Sequence, residues 1–298
     1  MGVLLIFVDG LGIGTRGGHN PLHLLGTEAA PLAVFVDEEP SLPSGGLCVR
    51  TDPRLGVEGR PQSASGQATI LTGVNAPALF GRHKQGFPNE ALREVLREHS
   101  VFRRLARAGV GPNVFANAYG QSFFERRPRW VSATTVAVEA ASLPFRTVED
   151  LRAGRAVFHD FTNRLLAARG EGVPLRSPEQ AAAALARLAA EHAFTLYEHY
   201  LTDRAGHEQD EAAALRVLAD LARFVRAALD EVDLARTTVL LTSDHGNVED
   251  LSTRNHTLND VPTLVWGPAR ERVSARVRTL ADITPTILEI LTGREGPP

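Results

Sequence analysis

The chain predicts an α/β fold: a mostly parallel sheet with helices on both faces and a small inserted cap subdomain. Three observations carry that expectation. Short apolar runs of strand length alternate with longer amphipathic segments, the pattern of a parallel sheet covered on both sides. Polar residues, chiefly Asp and His, follow directly on several of those runs, where open α/β sheets keep their ligand sites. The 298 residues are 43% hydrophobic and 22% charged, enough apolar residue for a substantial core.

Taken in order, "VLLIFVDGLGIG" reads as a buried strand that delivers Asp9 to a strand end. Residues 13–60 are rich in Gly and Pro and read as long loops with short strands. "SASGQATILTG" opens a helix that Gly73 closes. "NEALREVLREHSVFRRLARAG" is one or two amphipathic helices ending at Gly109, and "PNVFANAY" is the next strand. Between Gln121 and Ser177 the character changes to an Arg-rich and then mixed stretch, read as the inserted cap. The core is therefore expected over 1–120 and 178–298, and the cap over 121–177. "SPEQAAAALARLAAEH" carries a Ser-Pro-Glu helix start. "AFTLYEHYL" is a strand, Asp210 to Asp233 a long helix, "TTVLLTSD" and "VPTLVWG" two more strands, and "LADITPTILEILTG" the closing helix.

Composition excludes several classes of function. A net charge of -3 argues against a general nucleic-acid or membrane-surface binder. A single cysteine, Cys48, excludes an intramolecular disulfide and any cysteine-based metal cluster. The first apolar run has no basic start and is too short for a signal-peptide core or a membrane span. A cytoplasmic location is expected.

The strand ends hold an unusual set of side chains. Asp9 follows the first strand, Asp203 and His207 follow "AFTLYEHYL", Asp244 and His245 follow "TTVLLTS", and His256 precedes the strand from Val261. Each alone has a bland reading as a cap, a turn or a surface residue; their convergence on one sheet edge does not. Imidazole and carboxylate are ligands for divalent metals such as Mn²⁺ or Zn²⁺. Six such groups are too many for one tetrahedral site and suit two ions, which can hold the attacking and leaving oxygens of a phosphoryl displacement. The four-residue spacing of Asp203 and His207 fits a turn closing on one ion, with Gly206 permitting that turn and Gly246 the bend after His245. A nucleophile is available in Ser63 or Ser65, just before a helix whose N-terminus favours an anion.

These motifs, "VDGLG", "SASGQATILTG", "TDRAGH", "SDHGN" and "NHTLNDVP", resemble the alkaline phosphatase superfamily, in particular the metalloenzyme branch holding cofactor-independent phosphoglycerate mutase and phosphopentomutase. The resemblance spans most of the chain and implies an alkaline-phosphatase-like core. It implies that Asp203, His207 and His256 hold one metal, and that Asp9, Ser63, Asp244 and His245 hold the other. It also selects Ser63 over Ser65, because the family nucleophile lies ten residues before the glycine that here is Gly73. Sulfatases of the superfamily use a modified cysteine at that position, so a serine argues against their activity.

Two departures from the mutases shape the functional expectation. The inserted stretch is short and comes late, and Gln67 stands where phosphoglycerate mutases place a substrate-binding His. A phosphatase or phosphodiesterase acting on a small phosphorylated metabolite is therefore expected, with an intramolecular phosphomutase as the alternative. A non-catalytic binding protein on this fold, the third reading, is expected to have lost ligands, and none is lost. Gln67, Arg82, His83, Lys84, Arg126, Arg127 and Arg129 are the candidates to bind the substrate, since guanidinium matches phosphate or carboxylate in a fork.

Overall fold

The structure, a computed structural model, describes residues 1–294. Six strands form one open mixed sheet: β1 (Gly2–Val8), β2 (Leu47–Thr51), β3 (Asn113–Phe115), β4 (Phe194–His199), β5 (Thr237–Thr242) and β6 (Val261–Trp266). Their spatial order is β2-β6-β5-β1-β4-β3. β1 lies parallel to both β4 and β5, and β3 parallel to β4. β6 runs antiparallel to β5 and β2.

The period-two alternation of β1 divides the interior into two cores. Leu4, Ile6 and Val8 face one apolar cluster, which the helices Pro178–Glu191 and Glu211–Glu231 cover. Val3, Leu5 and Phe7 face the other, covered by the helices Ser63–Thr72, Glu90–His99, Val101–Arg107, Ala133–Ala140 and Ile283–Thr292. With both faces covered, every residue of β4, β5 and β6 is buried, which is why those strands read as continuous apolar runs.

Local signals set the helix boundaries. Ser177 and Gln180 form a capping box and Pro178 occupies the first turn. Asp210 caps the long helix by accepting from the Ala213 amide. Ser100 breaks "NEALREVLREHSVFRRLARAG" into two helices: its backbone is extended, at φ -57 and ψ 143, and its hydroxyl accepts from the Arg103 amide. Among the described residues no helix is long and apolar enough to cross a membrane.

The stretch 121–177 divides among three environments, with Val157 and Phe161 in the first core. Ala133, Val136, Ala137 and Val138 belong to the second core. Val148, Leu151, Ala156, Phe158, Leu166 and Val173 gather with Ala118 into a small cluster of their own. The strand expected over "PNVFANAY" is only three residues long; beyond it the chain makes single bridges from Asn117 to Val157 and from Ala118 to Arg146.

Candidate metal centre

The sheet brings the predicted residues together because β6 is reversed. Asp9 follows β1, Asp244 and His245 follow β5, and His256 precedes β6. In a parallel strand the approach to β6 would open at the opposite edge; the antiparallel pairing of Leu241 with Leu264 returns it to this one. Asp203 and His207 do not lie in a turn, as expected, but on the helix Leu201–Glu208 that follows β4. Four residues apart, they share one helical face. The two glycines also act differently from expectation, since neither has positive φ. A Cβ on Gly246 would lie 2.2 Å from Glu249 Oε1 and from Thr257 Oγ1, and one on Gly206 would lie 2.4 Å from Asn247 Oδ1. Both are needed for close approach of neighbouring loops.

Two overlapping clusters of donor atoms result, Asp9–Asp244–His245 and Asp203–His245–His256. His245 Nε2 stands 3.0 Å from Ser63 Oγ, 3.2 Å from Asp9 Oδ1 and 3.6 Å from Asp244 Oδ2. His256 Nε2 stands 3.2 Å from His207 Nε2 and 3.5 Å from Asp203 Oδ1, and His207 Nε2 lies 3.4 Å from Asp203 Oδ2. The rings of His245 and His256 stack at 3.6 Å. Ser63 is the first residue of its helix. Ser65, fully buried, is occupied elsewhere: its hydroxyl bonds Gln62 O and accepts from the Lys84 amide.

The donor set fits divalent cations. His256 Nδ1 lies 2.8 Å from Pro61 O, and His207 Nδ1 lies 2.7 Å from Arg254 O. Carbonyls only accept, so each Nδ1 carries a hydrogen and each Nε2 is turned toward the other donor atoms. The two Nε2 atoms meet at 3.2 Å, a spacing that a shared cation would hold. Asp9 Oδ1 is likewise buried without a hydrogen-bond partner. Burial and the neighbouring Asp9 raise the Asp244 carboxyl well above its usual range. Burial alone would depress His245, yet Asp244, Asp9 and Asp203 together push it up to about 10. Burial also opposes ionisation of Asp203, but His256, His245 and Asn247 outweigh it and hold its carboxyl down at about 2. Asp244 and His245 both register carboxylates buried against one another, whose charge divalent ions would balance.

Three supporting side chains complete the centre, two of them invisible to motif reading. Glu249, 1% exposed, ties three ligand-bearing loops together. Its Oε2 accepts from the Gly12 and Asn247 amides at 2.9 and 2.7 Å, and its Oε1 from Thr257 Oγ1 and Asn259 Nδ2 at 2.5 and 3.0 Å. Asn247 Nδ2 donates to Asp203 Oδ1 at 2.8 Å. Gln67 Nε2 donates to Asp9 Oδ2 and Asp244 Oδ2 at 3.1 and 3.3 Å, so this amide orients two carboxylates.

A cavity of 620 Å³ opens beside Asp9, Ser63 and Gln67. Arg82, His83, Lys84, Arg126, Arg127 and Arg129 are not among the residues that line it. His83 Nε2 bonds Val57 O, Lys84 Nζ bonds Gln85 O, Arg127 pairs with Glu139, and Arg129 lies over Trp130. Arg82 and Arg126 are exposed. The cations that do line the cavity are Arg169 and Arg204.

Residues 174–294 match the family described as the Metalloenzyme superfamily. The 2,3-bisphosphoglycerate-independent phosphoglycerate mutase of Syntrophotalea carbinolica is 35% identical over 95 residues, which cover 30% of this chain and 18% of that protein. The same enzyme from Desulforudis audaxviator is 34% identical over 102 residues, 32% and 20% of the two chains. The match thus spans about a fifth of those relatives. Two solved structures align along nearly the whole chain. They are the PH0037 protein from Pyrococcus horikoshii (TM-score 0.57, 17% identity, 100% and 98% coverage) and the alkaline phosphatase of the Antarctic bacterium TAB5 (TM-score 0.53, 13% identity, 98% of each). At such identities the likeness is one of fold. The family match thus covers residues 174–294, and the chain along its length shares an alkaline-phosphatase-like fold.

Proposed function

We propose that the protein is a phosphohydrolase, a phosphatase or phosphodiesterase of a small phosphorylated metabolite, that uses Ser63 as nucleophile and two divalent ions, Mn²⁺ or Zn²⁺. The observation that carries this reading is the position of Ser63 Oγ, 3.0 Å from His245 Nε2, at a helix N-terminus and on the wall of the cavity. Asp203, His207 and His256 would hold one ion; Asp9, Ser63, Asp244 and His245 would hold the other. When bound, such ions lower the proton affinity of a hydroxyl and offset phosphate charge.

The chain's own residues supply the rest. The Ser63 and Ala64 amides at the start of the helix make no hydrogen bond among the described residues, so they remain free for phosphate oxygens. The Ser65 amide is taken by Lys84 O. Ser63 Oγ loses its proton and attacks phosphorus; its bond to phosphorus forms as the bond to the leaving oxygen breaks, and that oxygen takes up the proton to leave as the alcohol. A water oxygen then attacks phosphorus, and Ser63 departs with its hydroxyl restored. Gln67 orients the Asp9 and Asp244 carboxylates by donating to both.

The cavity is lined by Phe87, Tyr119, Phe123, Trp130, Phe158 and Tyr200. This aromatic wall favours hydrolysis over transfer within one substrate, because a mutase must grip a polar skeleton through both half-reactions. The sequence relatives named above favour the second reading, a phosphomutase. Release of inorganic phosphate from an aryl phosphate by the Mn²⁺- or Zn²⁺-loaded protein, abolished in Ser63→Ala, is the expected result. Phosphoryl exchange within a sugar phosphate with no phosphate released would overturn it in favour of the mutase.

A further inference from the structure

The cavity beside Ser63 has walls of a particular chemistry. Three of the exposed large apolar side chains of the molecule, Phe87, Trp130 and Tyr200, line it, at 49%, 53% and 38% exposure. Tyr119, Phe123 and Phe158 line it as well. These rings come from five separate segments, so no single amphipathic element accounts for their meeting. Exposed aromatic surface is costly in water, and a contiguous patch of it beside a reaction centre marks a binding surface.

Several of these rings are also held in place. Tyr200 stacks on His159 at 4.0 Å and its hydroxyl meets His159 Nε2 at 2.6 Å. Trp130 has the Arg129 guanidinium over its ring at 5.2 Å. Tyr119 packs against Phe123 at 4.3 Å and its hydroxyl lies 2.8 Å from Thr135 Oγ1. Rigid rings bind flat groups at little entropic cost. The amide on this wall is not free for a ligand: Asn117 is locked to the backbone of Glu198 through both its amide atoms.

We infer that this cavity is a specificity subsite for a flat aromatic or heteroaromatic group carried by the phosphoester, with Phe87, Trp130 and Tyr200 as the contacting residues. The inference rests on Ser63 being the phosphoryl acceptor, which sets the end of the substrate that reacts. Stacked rings discriminate by contact with the π face, so the effect falls mainly on binding.

The test compares adenosine 5′-phosphate with ribose 5-phosphate, which share the same reacting alcohol and differ in the ring. The first readout is binding to the Mn²⁺-loaded full chain carrying Ser63→Ala. Of the two tryptophans, Trp266 is fully buried and Trp130 exposed, so ligand-dependent quenching reports on Trp130. Adenosine 5′-phosphate is expected to quench and to bind about tenfold or more tightly than ribose 5-phosphate. Tyr200→Leu should remove most of that preference. The second readout is phosphate release by the unsubstituted protein, where the preference should appear in KM rather than kcat. Equal affinity for the two ligands, or a preference untouched by Tyr200→Leu in the quenching and by Trp130→Leu in KM, would overturn the subsite. Preferential binding without phosphate release would leave the subsite standing and refute hydrolysis; equal release from both would do the reverse.

Discussion

Replacing Glu249 tests whether the metal centre depends on a carboxylate that touches no reacting atom. In Glu249→Leu the Gly12 and Asn247 amides, at 2.9 and 2.7 Å from Oε2, lose a buried acceptor. Each buried donor left unsatisfied costs about 1–3 kcal/mol, so the pair costs roughly 2–6 kcal/mol. Thr257 and Asn259 add less, because a hydroxyl can turn and an amide can flip. Glu249→Gln keeps one oxygen for the two amides and can offer its NH₂ to Thr257 and to a flipped Asn259, so it should cost only about 1–2 kcal/mol. Against a total stability of about 5–15 kcal/mol, the leucine variant should be severely weakened and the glutamine variant should fold. Urea unfolding of the metal-free proteins, followed by circular dichroism, gives both numbers. Metal affinity measured by calorimetry on the folded variant should fall, because the loops anchored by Glu249 carry Asp9, His245 and His256. Equal midpoints for Leu and Gln, or a leucine variant within about 1 kcal/mol of the parent, would refute the reasoning.

Other perturbations bear on separate parts of the account. His256→Ala should lose one ion per chain by elemental analysis and keep its far-ultraviolet circular dichroism; unchanged metal content counts against the ligand set. Gln67→Leu removes the donor shared by Asp9 and Asp244, and metal affinity should drop about 10–100-fold as for other groups that orient ligands; an unaltered binding isotherm contradicts that role. His199, fully buried, is depressed to about 4 by burial, against which its bond to His159 O works only partly. Its folded pKa lies below its unfolded value, so its contribution is complete above about pH 6.5 and is lost as pH falls toward 4. At about 1.4 kcal/mol for each pKa unit the loss is roughly 3 kcal/mol. His199→Asn should flatten that part of the stability–pH curve, and an identical curve in both proteins would remove His199 as the cause.

The candidate ligand set was legible as a cluster because metal chemistry restricts residue types and the fold restricts where they stand. Asp9, Asp244 and His245 follow apolar runs too short for anything but strands, and that places them at one sheet edge. The direction of β6 carried no such signal, although His256 reaches the site only because that strand is reversed. Asp203 and His207 were found by type and spacing, but "TDRAGH" contains a glycine and read as a turn; packing against Asn247 makes it helical and makes the glycine necessary. Glu249 looked like one more acid in "NVED", since nothing local reveals that its partners are Gly12, Thr257 and Asn259. The substrate cavity was the least legible part. Its rings come from residues as distant as Phe87 and Tyr200, and long-range packing decides which arginines face it. Clustered arginines near residue 127 satisfied their charge on nearby acids and rings instead.

The central claim, a two-ion centre that includes the nucleophile, is tested most directly by anomalous diffraction from crystals grown with Mn²⁺. The account predicts two peaks, one bounded by Asp203, His207 and His256 and the other by Asp9, Asp244, His245 and Ser63 Oγ. A single peak, or manganese bound away from Ser63, would contradict it.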